Sequence, residues 1–453
     1  MHIIIVGAGQ VGRFMASTLC TEGNNVILVD TNESLLEDIQ EHLDVMTING
    51  NGARVNILTE AGIDKADLLI AVATHSETNI LSCQIAKHFN VRRTVCRVAS
   101  DEYFCDKEGF TPENYGIDQV IFPTDECAAQ IVTCIKHPEL KEYVGFSNQK
   151  AALVSFSLPP ASPVTGVKLD NFPDPELIKR LRICAIYRRG RMIIPRGKTK
   201  LYAYDELYVA GEMSAIRELR EMIFPTISPA KKVIISGVTP LSLKVVELLN
   251  ALAIDVSLIE SDAVTAESAV AKLEGKNIVI NGDATDPRIL EEIGIDQCDA
   301  FISTVNDETS ILTCLLAKQR GAEKVYAVAD KPDYLDIIAG IAAIDTAFSI
   351  RVAAVNELLH TIRGENIKVG ALLKRIPAEV LEFEVSQKSK LAGYKITEIN
   401  LPASTIIAMV IRQDEIISAI GDLKLEAGDR VITLSDKLSV PALQRLFSRK
   451  KLL

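Results

Sequence analysis

The chain repeats itself, and that repetition limits its fold more than any other feature. The segment IIIVGAGQVG at 3–12 aligns with VIISGVTPLS at 233–242, a displacement of 230 residues. The same displacement relates VILVD at 26–30 to VSLIE at 256–260. NGN at 49–51 then matches NGD at 281–283, and AGIDKAD at 61–67 matches IGIDQCD at 293–299. ETNILSCQIAK at 77–87 matches ETSILTCLLAK at 308–318. Five blocks in one order, separated by small insertions, make the chain an internal duplication. Both halves must therefore bury one common apolar pattern.

Within each half the pattern changes once. Residues 2–6, 26–30, 45–48, 68–73, 94–98 and 119–122 are short runs rich in Ile, Val and Leu, which read as strands. Segments such as 10–23 and 77–89 place apolar residues three and four apart, the helical spacing. Alternating strands and helices predict a parallel sheet covered on both faces. From about 150 the character becomes β-rich: SFSLPPASPVTG, ICAIYRRGRMIIP and YDELYVAG read as strands joined by hairpin turns. EFEVSQKSKLAG, AMVIRQDEIISA and GDRVITLSD repeat that order near 380–436. The expected domains are 1–124, 140–226, 232–350 and 368–453, with a hinge in SPAKK at Ser228 and Pro229.

Gly7-Ala8-Gly9-Gln10-Val11-Gly12 follows a strand and opens a helix, the context in which GxGxxG signals a dinucleotide site. Gly7 permits the tight turn, Gly9 lets a pyrophosphate approach the backbone, and Gly12 lets helix and strand pack closely. Free amides and the positive end of the helix dipole then face the phosphates. Asp30 ends the second strand, 18 residues after Gly12, where a carboxylate accepts ribose hydroxyls and repels a 2′-phosphate. The expected ligand is NAD(H). Three further positions lie at strand ends: Gly50-Asn51 near the adenosine, Ala73-Thr74 with amides for phosphate or ribose, and Arg97 with a guanidinium for phosphate. Glu77, at the start of the next helix, reads as structural. The second half departs from this pattern. Gly237-Val238-Thr239-Pro240-Leu241-Ser242 keeps only the first glycine, and Val328 stands where Arg97 stood. Glu260 and Asp283 still offer carboxylates at the equivalent strand ends.

Composition removes several functions. Net charge is −11, Trp is absent and aromatics are 5%, which disfavours nucleic acid as a partner. No apolar run reaches the roughly 18 residues of a membrane span. MHIIIVGAG reads as a strand entering a turn, and nine scattered cysteines without a CxxC pair suit a reducing cytosol. There is no GxxxxGK[ST] loop for ATP hydrolysis. The catalytic alternative is an NAD-dependent oxidoreductase, with His75 as the one histidine at a strand end facing the cleft. One local feature runs against the acidic total: between Lys179 and Lys200 stand nine bases and no acid. A patch of this kind suits anionic headgroups or acidic partner loops, or else a solvated hairpin paired with acids elsewhere.

GAGQVG, VILVD, AVATHSETNI and the ETNILSC/ETSILTC pair resemble the RCK (KTN) family, cytosolic ligand-binding domains that regulate potassium channels and transporters. The likeness covers almost the whole chain. It implies an α/β fold: two Rossmann-like doubly wound parallel sheets, each followed by a small α+β RCK-C module. It also implies a non-catalytic regulatory subunit, forming a ring as a homo-oligomer (dimer or tetramer) beneath a membrane potassium-translocating pore subunit. Such a subunit is cytoplasmic and peripheral on the inner face of the membrane, with NAD(H), or ATP or ADP, as ligand. By the same likeness Gly7 to Val11, Asp30, Ala73, Thr74 and Arg97 are ligand contacts.

Overall fold

Each half lays six short parallel strands side by side in an order that reverses direction once. In the first half the order is Met46–Asn49, Asn25–Asp30, His2–Val6, Leu68–Ala71, Arg93–Arg97 and Gln119–Ile121. All neighbours pair in parallel. The computed structural model in which these are seen describes residues 1–21, 23–105, 108–146, 150–225, 230–362, 367–373, 376, 378–387, 389–402, 404–419 and 421–448. The hinge expected at Ser228 and Pro229 lies outside the described residues. Ile3, Ile4, Ile5 and Val6 are all at most 2% exposed, so the central strand is covered on both faces. One cover is the helix Gln10–Thr21, which buries Val11, Met15, Ala16 and Leu19 at helical spacing. The second half repeats the sheet with Ile278–Asn281, Asp255–Glu260, Lys232–Ser236, Ala300–Ser303, Lys324–Val328 and Thr346–Phe348. The six strand runs read from the sequence of the first half fall on its six strands to within one or two residues at their ends.

The smaller modules are five-stranded and antiparallel. The first runs Arg191–Ile193, Leu181–Arg188, Glu206–Glu212, Ala151–Ser157, Glu142–Phe146. The second runs Ile367–Leu372, Ala378–Glu384, Arg430–Asp436, Thr405–Arg412, Glu415–Ser418. One face of each sheet joins a shared core that includes Leu153, Tyr208, Val380, Met409 and Leu434. The opposite face of the first is closed by the helix Met213–Ile223, that of the second by Val440–Ser448. Beneath each sheet lies the same ion pair. Arg188 meets Asp205 at 2.6 Å and Arg412 meets Asp429 at 2.8 Å, with both aspartates at most 1% exposed.

The chain divides into two compact units that do not follow the repeat boundary. One is Met1–Cys127 with Ser349–Ile362, and the other is Ala128–Phe348 with Arg363–Leu453. In the first unit the helix Ile350–Ile362, from the second half of the sequence, packs on Gln10–Thr21 and on strand Gln119–Ile121. Ala353, Ala354, Val355 and Leu358 are its buried residues. In the second unit Tyr326 donates its hydroxyl to the carbonyl of Cys134 at 3.4 Å, tying the end of helix Pro123–Lys136 to the second parallel sheet.

Two outcomes follow from these contacts. Removing Arg188 strands the buried Asp205 carboxylate, so Arg188→Ala should destabilise the first small module by about 2–4 kcal/mol in urea unfolding. The second concerns pH. Burial, then Glu126 and Asp125, push Glu357 on the helix Ile350–Ile362 up to about 7. An acid raised above its unfolded value near 4.3 takes up a proton on folding, so stability falls as pH climbs from that value through about 7. Glu357→Gln should therefore stabilise the protein by about 1–2 kcal/mol at pH 8, after allowing for solvent screening, and leave it unchanged near pH 4. Unfolding curves at the two pH values measure the difference.

Candidate functional site

The crevice at the reversal of strand order is lined by the turn that follows the first strand. Gly7 has φ +106°, and a Cβ there would stand 2.6 Å from the amide nitrogen of Ala73. A Cβ at Gly12 would lie 1.8 Å from the Gly7 carbonyl oxygen, so helix and turn meet without room for a side chain. Gly9 is different: a Cβ there meets no atom of the protein within 4 Å. Gly7 and Gly12 are thus required by packing, whereas nothing in the chain itself requires Gly9. Gly9 and Gln10 are exposed, Ala8, Val11 and Gly12 buried.

Asp30 closes the turn from below. Its Oδ2 accepts the Ala8 amide at 2.6 Å and its Oδ1 accepts the Asn32 amide at 2.9 Å. Each oxygen retains a lone pair, so the carboxylate can serve the turn and a ribose hydroxyl together. The sequence reading assigned Asp30 only the second task. A signal for the first was present in the second half, where the acid persists although the glycines are gone.

A second buried polar group was missed. Asn79 is 1% exposed on the helix Ser76–His88. It accepts the Ala73 amide at 2.8 Å and donates to the carbonyls of Ala73 at 3.0 Å and Arg97 at 2.9 Å. It therefore fixes the ends of the fourth and fifth strands relative to each other. The Ala73 amide, expected to be open to a ligand, is taken by this bond. Thr74 and His75 are exposed. His75 sits at the N-cap of the helix Ser76–His88 without a side-chain capping bond. Glu77 accepts the Tyr103 hydroxyl at 2.7 Å, a bond that lowers its pKa and holds the following loop over the helix start. The second half repeats this contact: Tyr334 donates to Glu308 at 2.6 Å, and this bond, the backbone and Lys331 bring Glu308 down to about 2. Asn51 accepts the Ala53 amide at 2.8 Å, so its side chain shapes its own turn. Asp283 does the same through the Thr285 amide at 2.8 Å.

The two halves part at the helix start. In the second half Thr239 and Ser242 form a capping box, the Thr239 amide donating to Ser242 Oγ at 2.8 Å and the Ser242 amide to Thr239 Oγ1 at 3.1 Å. Pro240 brings no amide at all, and Thr304 donates to the carbonyls of Ser236 and Gly237 at 3.1 Å. Glu260 still accepts the amide of Val238 at 2.7 Å, in register with the Asp30 bond. The amides of Thr239 and Ser242 are thus taken within the turn, and Pro240 has none to offer a phosphate. Leu241 is buried in the helix packing. In the first half Gly9 offers no side chain to cap the helix Gln10–Thr21, so its first-turn amides stay available.

Known proteins resemble the chain over almost its full length. The TrkA-N domain model matches residues 3–123 and 233–350, and the TrkA-C domain model matches 153–223 and 380–448. Over 454 residues the chain is 34% identical to the Trk system potassium uptake protein TrkA of Vibrio alginolyticus, covering 99% of this chain and 98% of that one. To a Trk system potassium uptake protein TrkA homolog 1 of Methanosarcina mazei it is 30% identical over 459 residues, covering 99% and 100%. The crystal structure of the GsuK RCK domain superposes with a TM-score of 0.60 at 18% identity, over 99% of this chain and 95% of that one. The GsuK channel bound to NAD superposes with a TM-score of 0.60 at 19% identity, over 99% and 79%. Identities this low speak to the fold.

Asn79→Ala should leave the Ala73 amide and the Arg97 carbonyl without their partner. A loss of about 2–3 kcal/mol in thermal unfolding is expected, larger than for Asn79→Ser, which keeps one acceptor. Equal, negligible losses would mean that the strand ends are held by packing alone.

Proposed function

The chain belongs to the TrkA family, with TrkA-N and TrkA-C domains in tandem in both halves, and from that premise we propose that it is a regulatory, non-catalytic subunit that binds NAD(H) in its first half only. The observation that carries the reading is the contrast between the two helix starts, open at Gly9 and capped at Thr239. In this reading Gly7, Ala8, Gly9, Gln10, Val11 and Gly12 cradle the pyrophosphate. Asp30 takes the adenosine ribose, Asn51 lies beside the adenosine, and Ala73, Thr74 and Arg97 line the opposite wall. NAD(H) is preferred to the phosphorylated cofactor because the Asp30 carboxylate repels a 2′-phosphate. ATP and ADP carry the same adenosine and phosphates and are the competing ligands to test.

The wider reading is that nucleotide occupancy biases a membrane potassium-translocating pore subunit. The names of the relatives, Trk system potassium uptake proteins, support it, as does the GsuK channel bound to NAD, a neighbour of the same fold. Among the described residues no helix is long and apolar enough to cross a membrane. In this reading the chain meets the pore from the cytoplasmic side, as a homo-oligomeric ring peripheral to the membrane. Its functional domains are taken as 1–124, 140–226, 232–350 and 368–453. The helix Gln10–Thr21 presents its first-turn amides to the ligand and packs on Ile350–Ile362, from which the chain continues into the second small module. A ligand that favours one position of this helix pair would carry its preference onward. Coupling of about 1–3 kcal/mol biases a pore by roughly five- to 150-fold. Against the oxidoreductase stands the setting of His75, exposed at a helix start and, among the described residues, without a hydrogen bond to a carboxylate that would orient a catalytic imidazole.

Calorimetric titration with NADH, NAD⁺, NADPH, ATP and ADP tests this directly. Gly9→Val should fold as the parent does, because its Cβ meets no protein atom, yet lose NADH affinity by about a hundredfold or more. Unchanged binding by Gly9→Val, or no binding of any nucleotide by the parent, would contradict the reading.

A further inference from the structure

The two small modules share a backbone and differ in charge. Strand Leu181–Arg188 turns through Arg189 (φ 49°) and Gly190 (φ 78°), and strand Thr405–Arg412 turns through Gln413 (φ 49°) and Asp414 (φ 64°). Two successive positive φ values are the signature of the tight hairpin turn. Under each turn the arginine–aspartate pair is kept, Arg188 with Asp205 and Arg412 with Asp429. The outward face shifts from basic to acidic, with Lys200 and Lys424 alike. Arg191 of the first module corresponds to Glu415 of the second, Lys198 to Asp422, Gly190 to Asp414, and Tyr202 to Glu426.

Four of the nine bases in 179–200 are engaged at home. Lys179 pairs with Glu176, Arg180 with Glu218, and Arg188 with Asp205, while Arg182 donates to the Ala419 carbonyl. Arg189, Arg191, Arg196, Lys198 and Lys200 are exposed and form no ion pair among the described residues. Exposed Tyr202 and Tyr204 stand beside them, with the Arg188 guanidinium 4.5 Å over the Tyr202 ring. Tyrosine and arginine together are the usual anchors of a protein interface. On the second module Asp414, Asp422 and Glu426 are 68%, 90% and 61% exposed. They already contact Arg430, Lys395 and Arg412, but exposed pairs are weak and a carboxylate accepts several bonds at once.

We propose that these hairpins dock between copies of the chain, the basic hairpin of one first module on the acidic hairpin of another copy's second module. A two-fold axis lets two chains make both contacts together, which closes the assembly. An anionic membrane would occupy the basic hairpin and leave the matched acidic one without a reason. A second copy explains both. The inference rests on the homo-oligomer reading and specifies the surface through which part of that assembly forms.

Charge exchange in the full chain tests it by sedimentation velocity at low and high salt. Arg191→Glu with Lys198→Glu should weaken self-association about tenfold or more, as should Glu415→Arg with Asp422→Lys. All four substitutions together should recover it to within about threefold, because the complementary contact is restored with its sign reversed. Unaltered thermal unfolding of each variant keeps the comparison to the interface. Association that ignores either reversal, or that fails to recover in the fourfold variant, overturns the docking. A parent that is monomeric at low salt overturns the homo-oligomer reading as well. If Arg191→Glu with Lys198→Glu instead abolishes retention on phosphatidylglycerol vesicles while association is unchanged, the basic hairpin serves a lipid surface and the docking is again overturned.

Discussion

A carboxylate at the end of the second strand holds each glycine turn in place, and the rest of the cleft is arranged around that bond. Asp30 and Glu260 each accept two backbone amides, one from the turn after the first strand and one from the residue two beyond the acid. Bonds from amides to an ionised carboxylate are among the stronger ones a protein makes. The turn is therefore fixed before any ligand arrives, and its fixed shape decides where the amides of the next helix point. That both halves keep the bond, while only one keeps the glycines, separates what the fold needs from what a ligand needs.

The difference between the halves is then a matter of who satisfies the helix start. The second half does so internally with Thr239, Ser242 and Pro240. The first half leaves the task open at a glycine whose missing side chain no neighbour demands. In the proposed reading one chain thus holds a binding copy and a structural copy of a single design. The second half still bears on the first cleft, because its helix Ile350–Ile362 packs in the same unit as that cleft. Charge divides the small modules in a similar way, with the inner ion pair retained and the outer face shifted from basic to acidic.

Much of this was legible in the sequence because it rests on local rules. Strand runs, helical spacing and the glycine motif each follow from a few adjacent residues, and the duplication doubled every such signal. Three features were not legible. The exchange of Ile350–Ile362 into the unit of the first half leaves no trace, since the helix has the same apolar face whichever sheet it covers. The engagement of the Ala73 amide by Asn79 depends on a side chain six residues away in a buried position; its one sign was a polar residue at a core-facing place in ETNILSC. The basic run at 179–200 was visible, but the acids opposite it in the second module became comparable only once the two hairpins were known to share a turn.

The central claim is that one half of the chain binds a dinucleotide and the other is closed to it by its own side chains. The stoichiometry of NADH at saturation, read by equilibrium dialysis against a known concentration of chain, tests this most directly. The account predicts one NADH for each chain. Two for each chain, or none, would contradict it.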